Sequence, residues 1–150
     1  SAKGKKSNGL CPLHAVSFAA LAKYDAAVCG FDREIFLQHW ITMSNSQGFA
    51  KISNGALLGY GVIRKCSKGY KIGPLFADNV DIAEEVFLAL TADAEGQDIF
   101  FDVVQTHPES VSLAKKYHLS PVFETARMYK GAAPNQDLSK VFGVTTFELG

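Results

Sequence analysis

YKIGPLFADNVDIAEEVFLALTADAEGQDIFFDVV, residues 70–104, changes its hydrophobic period twice, and those changes decide the fold. YKIG reads as a strand; beyond Pro74 comes a polar loop, and then Ile82, Ala83, Val86, Phe87 and Leu90 recur at three- and four-residue spacing, one face of a helix. DIFFDVV is too uniformly apolar to alternate. That is the pattern of a strand covered on both faces in the middle of a sheet. With a helix between them, the two strands are expected to run parallel and to be joined by a right-handed crossover.

Upstream, GFAKIS and ALLGYGVIRK flank Asn54 and Gly55, a strong two-residue signal for a tight hairpin. Ser67, Lys68 and Gly69 turn the chain again into YKIG, which predicts a three-strand meander. Before it, residues 15–27 carry apolar side chains near helical spacing, with Gly30 placed for a left-handed cap. Asp32 stands where the next N-cap belongs, and Phe36 with Trp40 and Leu37 with Ile41 repeat at four residues. Downstream, Pro108 suits the first turn of a fourth helix. VFETARMY and VFGVTTFEL supply two more strands. Phe36, Trp40, Ile63, Val86, Phe87, Phe100 and Leu113 are expected in the core.

The 150 residues fit one domain, and 15 basic residues against 15 acidic ones give no global field to attract nucleic acid or an anionic membrane. No apolar run approaches the length of a membrane span. Cys11, Cys29 and Cys66 are odd in number and lie outside any CxxC pattern. Together they argue against a disulfide framework or a zinc site and for a reducing, intracellular location, with the cytoplasm the simplest choice. His14, His39, His107 and His118 lack ligand spacing, so no metal is expected. Residues 1–10 read as a linker or frayed terminus ahead of a domain at 11–150.

The element order, together with YDAAVCGFDREIFL, YKIGPLFADN, PVFETARMYKG and VFGVTTFELG, resembles the GNAT superfamily of acyl-CoA-dependent N-acyltransferases. The likeness is to the domain that often forms the C-terminal part of two-domain members. It implies an α/β (α+β) GNAT fold: a mixed, mostly antiparallel sheet of six or seven strands with helices on both faces. It also implies acetyl transfer from acetyl-CoA to a small-molecule or peptide amine.

In that family the fourth and fifth strands splay apart, and the acyl-pantetheine arm adds to the exposed strand edge. The resemblance puts this edge at Ile72, Gly73, Pro74 and Leu75, with Pro74 marking its end for want of an N–H. It puts the pyrophosphate loop at Asp78, Asn79, Asp81 and Ala83, at the head of the next helix. Asp78 replaces the family's cation and Asp81 its glycine. Two like charges about 5 Å apart repel by roughly 3 kcal/mol at an effective dielectric near 20, so weak or absent acetyl-CoA binding is expected. Either aspartate could instead cap the helix.

Many members place an Asn early in the fourth helix, then a Leu-Tyr pair whose phenol protonates the thiolate. The match gives His107, Leu113 and Ala114 at these positions, and His118 at the Gly that ends the helix. With no phenol there, Asp102 and His107 are the candidate bases, each with a purely structural alternative. Two functions stay open: an active N-acetyltransferase with nonstandard groups, or a noncatalytic GNAT-fold module completing a substrate site, beside a second GNAT domain or within a homodimer.

Overall fold

The computed structural model describes residues 9–104, 106–118 and 136–145. Six strands and four helices lie among them: β1 (Leu10–Pro12), α1 (Phe18–Cys29), α2 (Glu34–Ile41), β2 (Ser46–Ser53), β3 (Ala56–Lys65), β4 (Tyr70–Ala77), α3 (Val80–Thr91), β5 (Ile99–Phe101), α4 (Pro108–Lys116) and β6 (Val141–Gly143). The expected strand at 122–129 lies outside the described residues.

Local chemistry explains the element ends. Ser17 accepts a hydrogen bond from the Ala20 N–H to start α1, and Gly30 closes it at φ 83° with its own N–H on Ala26. The helix therefore sits two to three residues later than the apolar spacing alone predicts. The N-cap of α2 is Arg33 and not Asp32 as expected; Asp32 stands one residue earlier and accepts from the Glu34 N–H at 2.8 Å. Asn54 and Gly55 take φ 51° and 76°, the paired left-handed conformation of a two-residue hairpin, and Gly69 at 70° turns the chain into β4.

The strands run in the order β1, β2, β3, β4, β5, antiparallel through β4, and β6 lies against β4. β4 and β5 are parallel, as the helical spacer between them requires. β5 differs from its reading: it is three residues long and has β4 alone as partner among the described residues. β4 differs too, because it does not stop at Pro74. Gly61 faces Leu75 while Ile63 faces Ile72, so β4 carries one extra residue at Gly73 and Pro74 and continues to Ala77. A bulge absorbs the proline.

Two cores result, one on each face of the sheet. Leu75 and Ala77 join Ile63, Val86, Phe87, Leu90 and Leu113 under α3 and α4. Phe76, between them in sequence, joins Tyr60, Val62, Leu21, Val28 and Leu37 under α1 and α2. Each fully buried large apolar side chain contributes about 1.5–3 kcal/mol. Phe36, Trp40 and Phe100, expected in the core, are half-buried, and Trp40 packs against the core under α1 and α2.

Candidate functional site

β4 runs into α3 and β5 runs toward α4, so two strand ends and two helix heads converge. The strands pair only where Tyr70, Lys71 and Ile72 meet Ile99, Phe100 and Phe101, and they part beyond that point. The wedge between them contains β6. Leu75 pairs with Gly143 and Phe76 with Val141, while the Val144 N–H reaches across to the Asp102 carbonyl at 2.9 Å. A Cβ on Gly143 would strike the Phe101 ring of β5 and stand 3.4 Å from Leu75 Cβ of β4, so glycine fits where a larger residue would not.

On its other edge β4 is bonded to β3 through Gly61 with Leu75 and Tyr60 with Phe76. Both edges are thus paired at 75 and 76. Just before them, the Gly73 carbonyl accepts from the Trp40 indole N–H at 2.9 Å, and Pro74 has no N–H to offer. The family resemblance put an open edge at Ile72, Gly73, Pro74 and Leu75; these four residues are buried, and the strand beside Leu75 is the chain's own.

At the head of α3 the cap is Asn79, not Asp78 or Asp81. Its side chain accepts from the Ile82 N–H at 3.0 Å, and its carbonyl accepts from Ala83 at 3.1 Å. Asp78 accepts from the Tyr24 hydroxyl at 3.0 Å and lies 3.4 Å from Lys140 Nζ. Burial first, then the charge of Asp78, pushes the Tyr24 hydroxyl's pKa up. Asp81 is exposed in the first turn, and the Ala83 side chain is sealed in the core.

His107 stands at the N-cap of α4 with its ring nearly buried. Its Nδ1 is 2.8 Å from the Val141 carbonyl, which can only accept, so Nδ1 carries a proton and, in the neutral ring, Nε2 is the acceptor. The ring also leans on Phe142 at 4.6 Å. One turn on, Ser110 donates to the Phe142 carbonyl at 2.5 Å. Asp102 turns elsewhere, with its carboxylate 2.7 Å from Lys71 Nζ.

Ala114 is buried. Tyr117 bonds Glu84 at 2.5 Å on α3 and packs on Phe87. Burial, then Glu84, raises the Tyr117 hydroxyl to about 12. His118 takes φ 60°, the left-handed conformation that a helix-ending glycine adopts readily.

Sequence reading missed a buried polar cluster. Asp25 of α1 receives two hydrogen bonds from Arg33, at 2.8 and 2.9 Å, and a third from the Tyr60 hydroxyl. Arg33 also donates to Thr145 Oγ1 at 2.9 Å, which ties the end of the β6 segment to the helices. Burial works against the guanidinium's charge, but the Asp25 hydrogen bonds and neighbouring charges outweigh it, and its net direction is up. Burial, then Asp25, pushes the Tyr60 hydroxyl well up. A lone Asp, Tyr or Thr gives no sequence signal; the one hint was an aspartate amid the small apolar residues of α1.

Residues 21–143 match the acetyltransferase (GNAT) domain family. This chain belongs to that family. It is 26% identical over 144 residues to holothin acyltransferase of Pseudoalteromonas sp. (strain SANK 73390), covering 95% of this chain and 49% of that protein. It is 33% identical over 79 residues to the uncharacterized N-acetyltransferase YitH of Bacillus subtilis (strain 168), covering 53% of this chain and 28% of YitH. A crystal structure of a Pyrococcus horikoshii protein assigned as an acetyltransferase superposes with TM-score 0.78 at 20% identity, over 97% of this chain and 47% of that one. The GNAT domain thus spans about half the length of its first curated relative.

GNAT acetyltransferases use acetyl-CoA, and the residues here do not fit it in the expected seat. The strand edge is paired, Asn79 takes an amide of the α3 head, and Asp78 and Asp81 put two carboxylates where the family resemblance places the pyrophosphate. Among the described residues there is no cluster that could hold a metal ion, and no helix is long and apolar enough to cross a membrane.

Proposed function

We propose that this GNAT domain serves an acyl-CoA-dependent N-acetyltransferase that moves an acetyl group to the nitrogen of a small-molecule or peptide amine. The supporting observation is the likeness, across 95% of the chain, to an enzyme named as an acyltransferase. YitH, named as an N-acetyltransferase, points to nitrogen as the acceptor. Within that activity, the paired edge of β4 favours the domain as a module that completes an acceptor site or an interface with a second GNAT domain. His107 and Asp102 remain the groups able to exchange a proton near the wedge, through Nε2 and the carboxylate.

The test is release of free CoA thiol from acetyl-CoA by the full-length protein, over a panel of aminoglycosides, polyamines and peptide N-termini. Amine-dependent release is expected. Absence of any amine-stimulated release, with folded protein and acetyl-CoA of verified quality at the start, would refute the proposed activity.

A further inference from the structure

The segment 141–145 is bound in the manner of an extended ligand. An ordinary strand satisfies its backbone by a regular ladder, but this one, beside its pairing with β4, is also held by side chains of α4, by Arg33 and by the main chain of Asp102. The Val141 carbonyl takes His107 Nδ1 at 2.8 Å, and the Phe142 carbonyl takes the Ser110 hydroxyl at 2.5 Å. The Val144 N–H takes the Asp102 carbonyl at 2.9 Å, and the Thr145 hydroxyl takes Arg33 at 2.9 Å. Gly143 passes between Phe101 and Leu75 with no room for a side chain. A Cβ on Gly73 would come within 2.5 Å of the Thr145 carbonyl, so β4 is matched to the segment as well.

We infer that the segment 141–145 is a permanent internal occupant of the wedge between β4 and β5, and that it seals this GNAT domain against the pantetheine arm of acyl-CoA. An extended arm carrying amides would need the β4 edge that Gly143 and Val141 already pair. The segment is no loose strap: Phe142 is 0% exposed, and Val141 and Thr145 are nearly as deep. His107 and Ser110 become positioning residues, whose polar atoms hold backbone carbonyls of the occupant. This rests on the proposed reading only in taking the wedge as the family's seat for the arm. Sealing is a separate obstacle from charge, since removing Asp78 and Asp81 would leave the strand in place.

The experiment follows backbone amide resonances of this chain during titration with acetyl-CoA, for the wild type and for the Asp78→Asn/Asp81→Gly variant. The amides of Leu75, Phe76 and Val144 are expected not to move in either protein. Shifts elsewhere would mean a different acetyl-CoA site, consistent with a sealed wedge. Shifts at these three amides in either protein, with residues 141–145 losing exchange protection, would overturn the inference.

Native-state hydrogen exchange of the free wild type gives a check that needs no variant. The Val144 amide should be protected within about tenfold of the slowest β3 amides; exchange more than about a hundredfold faster would make the segment a strap that opens, and the sealing would fail. Neither readout depends on catalysis. Loss of the proposed transferase activity would leave the sealing intact, and an open wedge would leave the activity untouched.

Discussion

Arg33 grips Asp25 at two points, Nε to Oδ2 at 2.8 Å and Nη2 to Oδ1 at 2.9 Å, with side-chain exposures of 6% and 2%. Removing one partner strands the other charge out of water. Asp25→Ala should therefore cost about 3–5 kcal/mol in urea denaturation, whereas Asp25→Leu combined with Arg33→Met should cost clearly less than the sum of the two single changes. A single-variant loss under about 1 kcal/mol would mean that water reaches the pair.

Trp40 couples α2 to the β4 bulge through its indole N–H. Trp40→Phe keeps the stacking on Phe36, at 5.4 Å between centroids, but leaves the Gly73 carbonyl without its donor. The expected loss is about 1–2 kcal/mol, with a larger loss for Trp40→Ala. No measurable loss for Trp40→Phe in chemical denaturation would show that the hydrogen bond contributes nothing, and equal losses for the two variants would show that the ring packing does not.

Gly143 sets a steric limit. Gly143→Ala should destabilise by about 1–3 kcal/mol through collision with Phe101, and Phe101→Leu in the same chain should recover part of that loss. Additive effects of the two changes would disprove the contact.

Alkali should weaken the fold through its tyrosines. Tyr24, Tyr60 and Tyr117 all have their hydroxyls pushed above the ordinary value of 10, each first by burial. The unfolded chain releases these protons first as pH rises. The stabilisation is whole below about pH 10 and falls through the Tyr117 value of about 12, with the other two still protonated. Urea midpoints at pH 9, 10.5 and 12 should decline in that order. A flat series would show the hydroxyls to be in free contact with water.

The parts of this fold written in neighbouring residues were legible. Asn54 and Gly55 announce a hairpin because φ above zero is a local demand, and the α3 stripe announces a buried face because its period lies in twelve contiguous residues. The wedge was not legible in the same way. Whether VFG pairs with β4 depends on contacts about 66 residues away in sequence, and three residues carry too little pattern to choose a partner. Asp25 shows the same limit from the polar side. An aspartate on a helix is usually solvated, and only the arrival of Arg33, Tyr60 and Thr145 makes its burial tolerable. Asp78, Asn79 and Asp81 are all residue types that cap helices, and only the turn geometry, with the Asn79 side chain on the Ile82 N–H, decides among them.

The hairpin tip offers a practical handle. A Cβ on Gly55 would meet nothing within 4 Å, and Asn54 beside it is exposed, so this turn points into open solvent at a distance from both cores. A short epitope or a fluorophore-bearing peptide spliced between the two residues would lengthen the connection from β2 to β3, and each doubling of loop length adds only about 0.6 kcal/mol. The label would report tumbling and association of the domain in solution without entering either hydrophobic layer.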